Sequence, residues 1–346
     1  MRSEQGLDQG FDFYEDSFKN EGQERKAGAT NEKVEAWLDD QKSLDHLFLW
    51  VHYFDPHTRY DPPDSFWPAS ADLELRRAPR KISRNRNPDT GKRRLGNPPP
   101  GRVDQLKALY DAEIRYTDHA VGELLGMLEA KGLLTDMVIA AVSDHGECLG
   151  EYGYFFNHWD VYRPTAAIPM ILVHPYQRNW AGRSVDDPVT TIDLLPTLLA
   201  WLGIPAPRVD GIDLTPLIEG GPGPDRSIYT EQIEFFPAYA VPNGDYLHVN
   251  RLNKEATFDR SLLRATDGNL DRSALASDHP AHVRLKNALD AFRDPARARE
   301  SVPIELPADV KEKLRALGYY PDREEREAQT RRADDHGQIP PEPGVH

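Results

Sequence analysis

An aspartate and a histidine stand side by side in Val142-Ser143-Asp144-His145-Gly146-Glu147, directly after the apolar run Met137-Val138-Ile139-Ala140-Ala141. Carboxylate oxygen and neutral imidazole nitrogen are both metal donors, so Asp144 and His145 can reach one divalent cation together. Gly146 allows a tight backbone bend beside them. Ser-Asp-His-Gly by itself equally suits a strand followed by an Asx-type turn. Two more histidines sit in comparable places. His57 follows Asp55-Pro56 at the end of the run Leu47–Phe54, and His158 follows Asn157 on the stretch after Leu149-Gly150-Glu151-Tyr152-Gly153. Each has a plainer reading, His57 as the cap of a turn after Pro56 and His158 as part of a packed loop.

These residues need strands to position them. Five apolar residues followed by small and acidic ones predict a buried strand over 137–143, and in an open α/β sheet ligands collect where strands end. Leu47-Phe48-Leu49-Trp50-Val51-His52-Tyr53-Phe54 is aromatic and β-branched, which predicts a buried parallel strand stopped by Pro56. A third apolar run covers Ile168 to Val173. Helices are expected from Thr30 to Lys42, with Thr30 or Asn31 as cap, from Val103 to Lys131, closed by Gly132, and from Thr190 to Leu202, closed by Gly203. The order strand, helix, strand, strand, helix implies a three-layer α/β/α sandwich over residues 1–224. Beyond residue 225 the texture changes. Short runs at 228–230, 246–249 and 256–258 predict a smaller antiparallel sheet, with a helix over 279–292, in a subdomain ending near 320. Residues 321–346 are charged and Pro-rich and read as a disordered tail.

Composition sets outer limits. The 346 residues carry a net charge of −15, which argues against a nucleic-acid binder, whose footprint is basic. No apolar run approaches a membrane span. Cys148 has no partner cysteine, so cysteine usage does not fix a redox compartment, and the polar opening Met1-Arg-Ser-Glu-Gln-Gly shows no signal-peptide pattern. The compartment stays open. Residues 61–102 hold nine cations between Arg76 and Arg94, which suit a solvated loop or a substrate clamp.

Taken together, Val51-His52-Tyr53-Phe54-Asp55-Pro56-His57-Thr58, Tyr110-Asp111-Ala112-Glu113-Ile114-Arg115-Tyr116-Thr117-Asp118, Val142–Glu147 and Thr191-Ile192-Asp193-Leu194-Leu195-Pro196-Thr197 resemble the sulfatase family of the alkaline phosphatase superfamily. Leu314-Arg315-Ala316-Leu317-Gly318-Tyr319 is similar to the family's C-terminal segment. The resemblance implies an alkaline phosphatase-like fold and hydrolysis of sulfate esters on a small molecule or a glycan. It implies a divalent cation, with Asp144 and His145 matching two of its ligands, that holds a sulfate oxygen and polarises the sulfur. A formylglycine hydrate, made from Cys or Ser in a Cys-x-Pro-x-Arg type motif, attacks the sulfur in this family. His57 matches a histidine that contacts the sulfate or helps protonate the leaving oxygen, and His158 lies where the family places a sulfate-facing Lys or His.

The departures are as informative. No Cys or Ser here has Pro two and Arg four positions on, and Cys148 reads as a buried neighbour of the metal loop. The sequence is expected to begin after the nucleophile segment, and these residues alone are expected to be inactive. Arg59 and Tyr152 stand where Pro and His are commoner. An Asp-His pair is softer than Asp-Asn, so Mn or Zn competes with Ca. Two other readings remain: a phosphodiesterase or phosphonate monoester hydrolase of the same superfamily, and a non-enzymatic remnant that binds metal or an anionic glycan.

Overall fold

A computed structural model describes residues 6–18, 24–57, 59–73, 75, 85–86, 93–94, 100–151, 155–158, 161–223, 225–232, 238–243, 246–251, 254–259 and 275–292. In chain order the helices are α1 (Ala27–Asp40), α2 (Pro100–Ala130), α3 (Arg163–Ala166), α4 (Leu194–Trp201), α5 (Thr215–Ile218) and α6 (Pro280–Phe292). The strands are β1 (Asn85–Arg86), β2 (Arg93–Arg94), β3 (Ile139–Val142), β4 (Cys148–Leu149), β5 (Phe155–Asn157), β6 (Met170–Val173), β7 (Thr230–Gln232), β8 (Ala238–Asn243), β9 (Tyr246–Arg251) and β10 (Lys254–Asp259). The expected α/β class holds. The tail 321–346, the segment 314–319 and most of the cationic stretch lie outside the described residues.

The long helix α2 organises the first part. Leu106 and Leu109 pack with Tyr60, Leu75 and Phe156, while Leu124 and Leu128 pack with Leu38 of α1. Gly132, at φ +75°, ends α2, and Leu133 N–H returns to the Leu128 carbonyl at 3.0 Å. Helix α1 starts three residues earlier than the Thr30 expected from the sequence. Its cap is neither Thr30 nor Asn31 but the distant Asp55, whose Oδ2 accepts the Ala27 N–H at 2.8 Å. Asn31 is buried instead and cross-links three segments, donating to the Ala120 carbonyl (2.7 Å) and accepting from the Tyr53 hydroxyl (2.6 Å).

Two expectations about strands are corrected. Residues 47–54 pair with no strand among the described residues. The alternation is real, because Leu47, Leu49, Val51 and Tyr53 pack on the α1–α2 cluster, but Phe48 and Trp50 face outward, 73% and 48% exposed. The run has one buried face, not two. The second correction concerns burial: the strand expected to be buried over 137–143 is β3, in which Ala140, Ala141 and Val142 are exposed, and it pairs antiparallel with β6, from Ile139–Val173 to Val142–Met170. The helix expected over 190–202 is a 3-10 turn, Thr191–Asp193, followed by α4.

Asp193 is the anchor of that turn. It is fully buried and accepts from the Thr190 N–H (2.9 Å), the Ile212 N–H (3.0 Å) and both guanidinium ends of Arg226. Burial alone would raise its carboxyl, but those hydrogen bonds, Arg226 first, hold it below the usual range. Beyond Arg226 lies an antiparallel sheet in the order β10-β9-β8-β7, with α6 packed on it through Leu285, Leu289 and a Tyr229–Phe292 stack. The sequence expected short strands and a helix in this region, and the structure places them there. No described helix is long and apolar enough to cross a membrane.

Candidate active site

Three backbone segments deliver the four residues that the sequence singled out. Asp144 and His145 follow β3, as a carboxylate and an imidazole after a strand end should. Gly146 then passes so close to α3 that a Cβ would lie 2.1 Å from the Pro164 carbonyl oxygen, and its N–H donates to the Thr165 carbonyl at 2.8 Å. Close approach, rather than a positive φ, therefore demands glycine there. His57 sits in a turn closed by its own N–H on the Phe54 carbonyl (3.0 Å), with its ring edge-on to Phe54 at 4.7 Å. His158 follows β5, which pairs with β4 and so folds back over the metal-type loop.

The three histidines meet. His145 and His158 stack with ring centroids 4.0 Å apart and planes 23° from parallel, and His57 lies 5.6 Å from His158. Carboxylates stand behind them. Glu147 is 9% exposed; its Oε2 accepts from the Tyr60 hydroxyl at 3.1 Å and its Oε1 faces His158 Nδ1 at 3.8 Å. Glu24 Oε1 faces His57 Nδ1 at 3.7 Å. Burial pushes Glu24 up to about 7, with Arg59 pulling against it. His52 is held below the ordinary imidazole range by burial, opposed by the charge of Asp144. Cys148 is fully buried beside the loop, as expected.

Asp144 and His145 have the chemistry of half a cation site. His145 Nδ1 lies 2.8 Å from the Gly146 carbonyl, a contact that only an N–H can satisfy, which leaves Nε2 as a lone pair. Asp144 Oδ2 is 3.8 Å from that Nε2, close enough for both to bind one divalent ion at about 2.0–2.6 Å each. Ser143 Oγ donates to the His145 carbonyl at 2.7 Å and steadies the loop. Among the described residues no group of three His, Cys, Asp or Glu is arranged to hold a metal. The pair fits an ion as two of its ligands, not as a closed site.

Sequence reading missed the second layer. Glu147 lay inside the motif but had no assigned role, and Glu24, Tyr60 and His52 carried no signal. Only the fold brings Tyr60 to Glu147, 87 positions away.

A family model described as Sulfatase matches residues 5–204. The chain is 29% identical over 237 residues to a choline-sulfatase of Rhizobium meliloti, covering 63% of this chain and 44% of that protein. It is 27% identical over 209 residues to an arylsulfatase of Clostridium perfringens, covering 57% and 43%. The chain thus spans less than half the length of these curated relatives. Among solved structures, one in complex with its substrate D-glucosamine-2-N,6-O-disulfate superposes with a TM-score of 0.57 at 17% identity, covering 80% of this chain and 72% of that one. The phosphonate monoester hydrolase of Silicibacter pomeroyi gives 0.57 at 20%, covering 80% and 62%. These likenesses show the fold, which is of the alkaline phosphatase-like type.

Proposed function

Since the chain belongs to the sulfatase family, we propose that His57, Asp144, His145 and His158 form the sulfate-facing part of a site that hydrolyses sulfate esters. The observation that carries this reading is the convergence of three histidines from three separate segments, each with a defined ring environment. Substrates would be sulfated small molecules or glycans. Choline-sulfatase and arylsulfatase relatives support sulfate esters as the class.

The chain's own groups have distinct tasks in this reading. His158 turns Nδ1 toward the buried Glu147, which leaves Nε2 for the substrate. His57 turns Nδ1 toward Glu24 in the same way. Either ring N–H can hydrogen-bond a sulfate oxygen, and one of the two must hand a proton to the departing alkoxide or phenoxide oxygen. Both are about one quarter exposed, at 27% and 21% for the side chains, so they are reachable yet partly shielded. Asp144 and His145 would hold a divalent ion, calcium by family with manganese or zinc as competitors. When bound, it supplies Lewis-acid polarisation of a sulfate oxygen. Further ligands and the attacking nucleophile would come from outside the residues described.

The experiment is equilibrium titration of the chain with 4-nitrophenyl sulfate in the presence of calcium. Saturable binding is expected. A charged hydrogen bond is worth about 1.5–3 kcal/mol, so loss of His158 should weaken binding roughly 10- to 100-fold. An aryl phosphonate is the comparison ligand. Tighter binding of the phosphonate would move the reading to a phosphonate monoester hydrolase, and no His-dependent binding of either would favour a non-enzymatic remnant.

A further inference from the structure

Tyr60 stands three residues past His57 and is buried in the cluster that Leu106 and Leu109 of α2 form with Phe156. It is fixed to that helix at backbone and ring. The next residue, Asp61, donates its N–H to Glu113 Oε1 at 2.6 Å, and the Tyr110 ring meets the Tyr60 ring edge-on at 5.3 Å. A core tyrosine needs only to fill space and to satisfy its hydroxyl. Two further contacts of Tyr60 reach the elements that carry His158.

The first contact runs through the ring. Phe156 lies edge-on to Tyr60, with centroids 5.9 Å apart. Cys148 pairs with Asn157 and Leu149 with Phe155, so Phe156 is an extra residue on β5, a β-bulge, and its φ is +52°. A bulky side chain seldom adopts that conformation, which persists only where the surroundings over-determine it. Burial of the Phe156 ring beside Tyr60 does so here. A bulge re-aims the residues that follow it, and the second of those is His158. The other contact runs through the hydroxyl, which donates to Glu147 Oε2 at 3.1 Å. Oε1 of the same carboxyl lies 3.8 Å from His158 Nδ1. That is longer than a hydrogen bond, yet it decides which edge of the imidazole faces the protein.

We infer that Tyr60 is a positioning residue for His158, holding it through the Phe156 bulge on one side and the Glu147 carboxyl on the other. Tyr60 also shares a short segment with His57. One side chain therefore ties the His57 turn to the β4–β5 pair, and it sets both the 5.6 Å spacing of His57 and His158 and the 4.0 Å stack of His158 on His145. The inference deepens the proposed sulfate site and rests on that reading for its functional meaning alone.

The test reads the imidazole proton and nitrogen signals of the full 346-residue chain labelled on histidine. His145→Gln and His158→Gln assign the two signals of interest. Stacked rings shield each other, so the His145–His158 pair has an upfield proton signature. Tyr60→Phe keeps the ring and removes the hydroxyl. It should keep that signature and shift His158 Nδ1, while His174, at the far end of β6 from Asp144, stays put. Tyr60→Leu removes both contacts and should lose the signature as well. A residue that only fills space would leave every histidine unmoved in Tyr60→Phe. The inference is overturned if His158 Nδ1 is unmoved in Tyr60→Phe, or if a folded Tyr60→Leu chain keeps the stack signature. A Tyr60→Leu chain that does not fold leaves the decision to Tyr60→Phe. Binding of 4-nitrophenyl sulfate then reads the functional meaning. Tyr60→Phe should bind it more weakly than the wild type and more tightly than His158→Ala. Equal binding by Tyr60→Phe and the wild type, with His158→Ala weakened, would overturn the link between position and recognition. A His158→Ala chain that binds aryl sulfate normally would remove the sulfate-site reading and leave the positioning role standing on the spectra.

Discussion

At the residue scale, His145 shows how little freedom the site leaves. One ring nitrogen is committed to the Gly146 carbonyl, one face is covered by His158, and the remaining nitrogen points to the Asp144 carboxylate. Asp144 is the opposite case, with its side chain 77% exposed and ready for a ligand. Two donors suit weak binding, so calcium or manganese titrated by calorimetry should bind weakly, and Asp144→Asn should remove the heat. Tight binding unchanged in Asp144→Asn would place the ion elsewhere. Nucleophilic catalysis needs an activated nucleophile, and no Cys or Ser in the 346 residues has Pro two and Arg four positions on. These residues alone should hydrolyse aryl sulfate no faster than the His57→Ala, Asp144→Ala double variant.

At the element scale, one close backbone approach and one buried ion pair hold the elements in place. A methyl group at Gly146 would collide with the Pro164 carbonyl 2.1 Å away, forcing the 143–147 loop off α3. Gly146→Ala should cost about 1–3 kcal/mol and disturb the His145–His158 stack, read by thermal melting and histidine spectra. The Asp193–Arg226 pair joins the turn before α4 to the approach to the C-terminal sheet. Breaking it strands a buried charge, so Asp193→Ala should cost about 3–5 kcal/mol in denaturant melts. The Asp193 pKa is lowered in the fold. Its contribution is therefore present above the unfolded value, about 3.9, and is lost as pH falls through the folded one. Legibility follows the range of the interactions. The strand-end chemistry of 142–147 and the register of α2 are local patterns and were readable. The cap of α1 was not, because Asp55 reaches it from 28 positions away. The burial of Glu113, 3% exposed with its Oε1 accepting the Asp61 N–H at 2.6 Å, was hidden for the same reason, since a carboxyl on a long helix reads as solvated until the fold buries it.

At the scale of the whole molecule, a net charge of −15 opposes a sulfated ligand. Attraction must be local, from His57, His158 and a divalent ion, in a field of several kT with the wrong sign. Large apolar side chains also stand in the open: Phe48, Trp50, Ile171, Val173, Leu195 and Leu202 are 45–73% exposed. Ile171 and Val173 share one face of β6, and apolar side chains grouped in the open mark interaction or aggregation surface. The isolated chain is expected to bind an apolar dye and self-associate, measured by dye fluorescence and light scattering, and a dye-silent monomer would show this surface to be covered. The central claim is that three converging histidines and the Asp144–His145 pair recognise a sulfate ester. Its most direct test is calcium-dependent binding of 4-nitrophenyl sulfate to the wild-type chain, His57→Ala, His158→Ala and Asp144→Asn. The account predicts saturable binding in the wild type, a loss of roughly tenfold or more in each histidine variant, and weakened binding that added calcium no longer improves in Asp144→Asn. Binding that is absent in a folded wild-type chain, or equal in all four proteins, would contradict it.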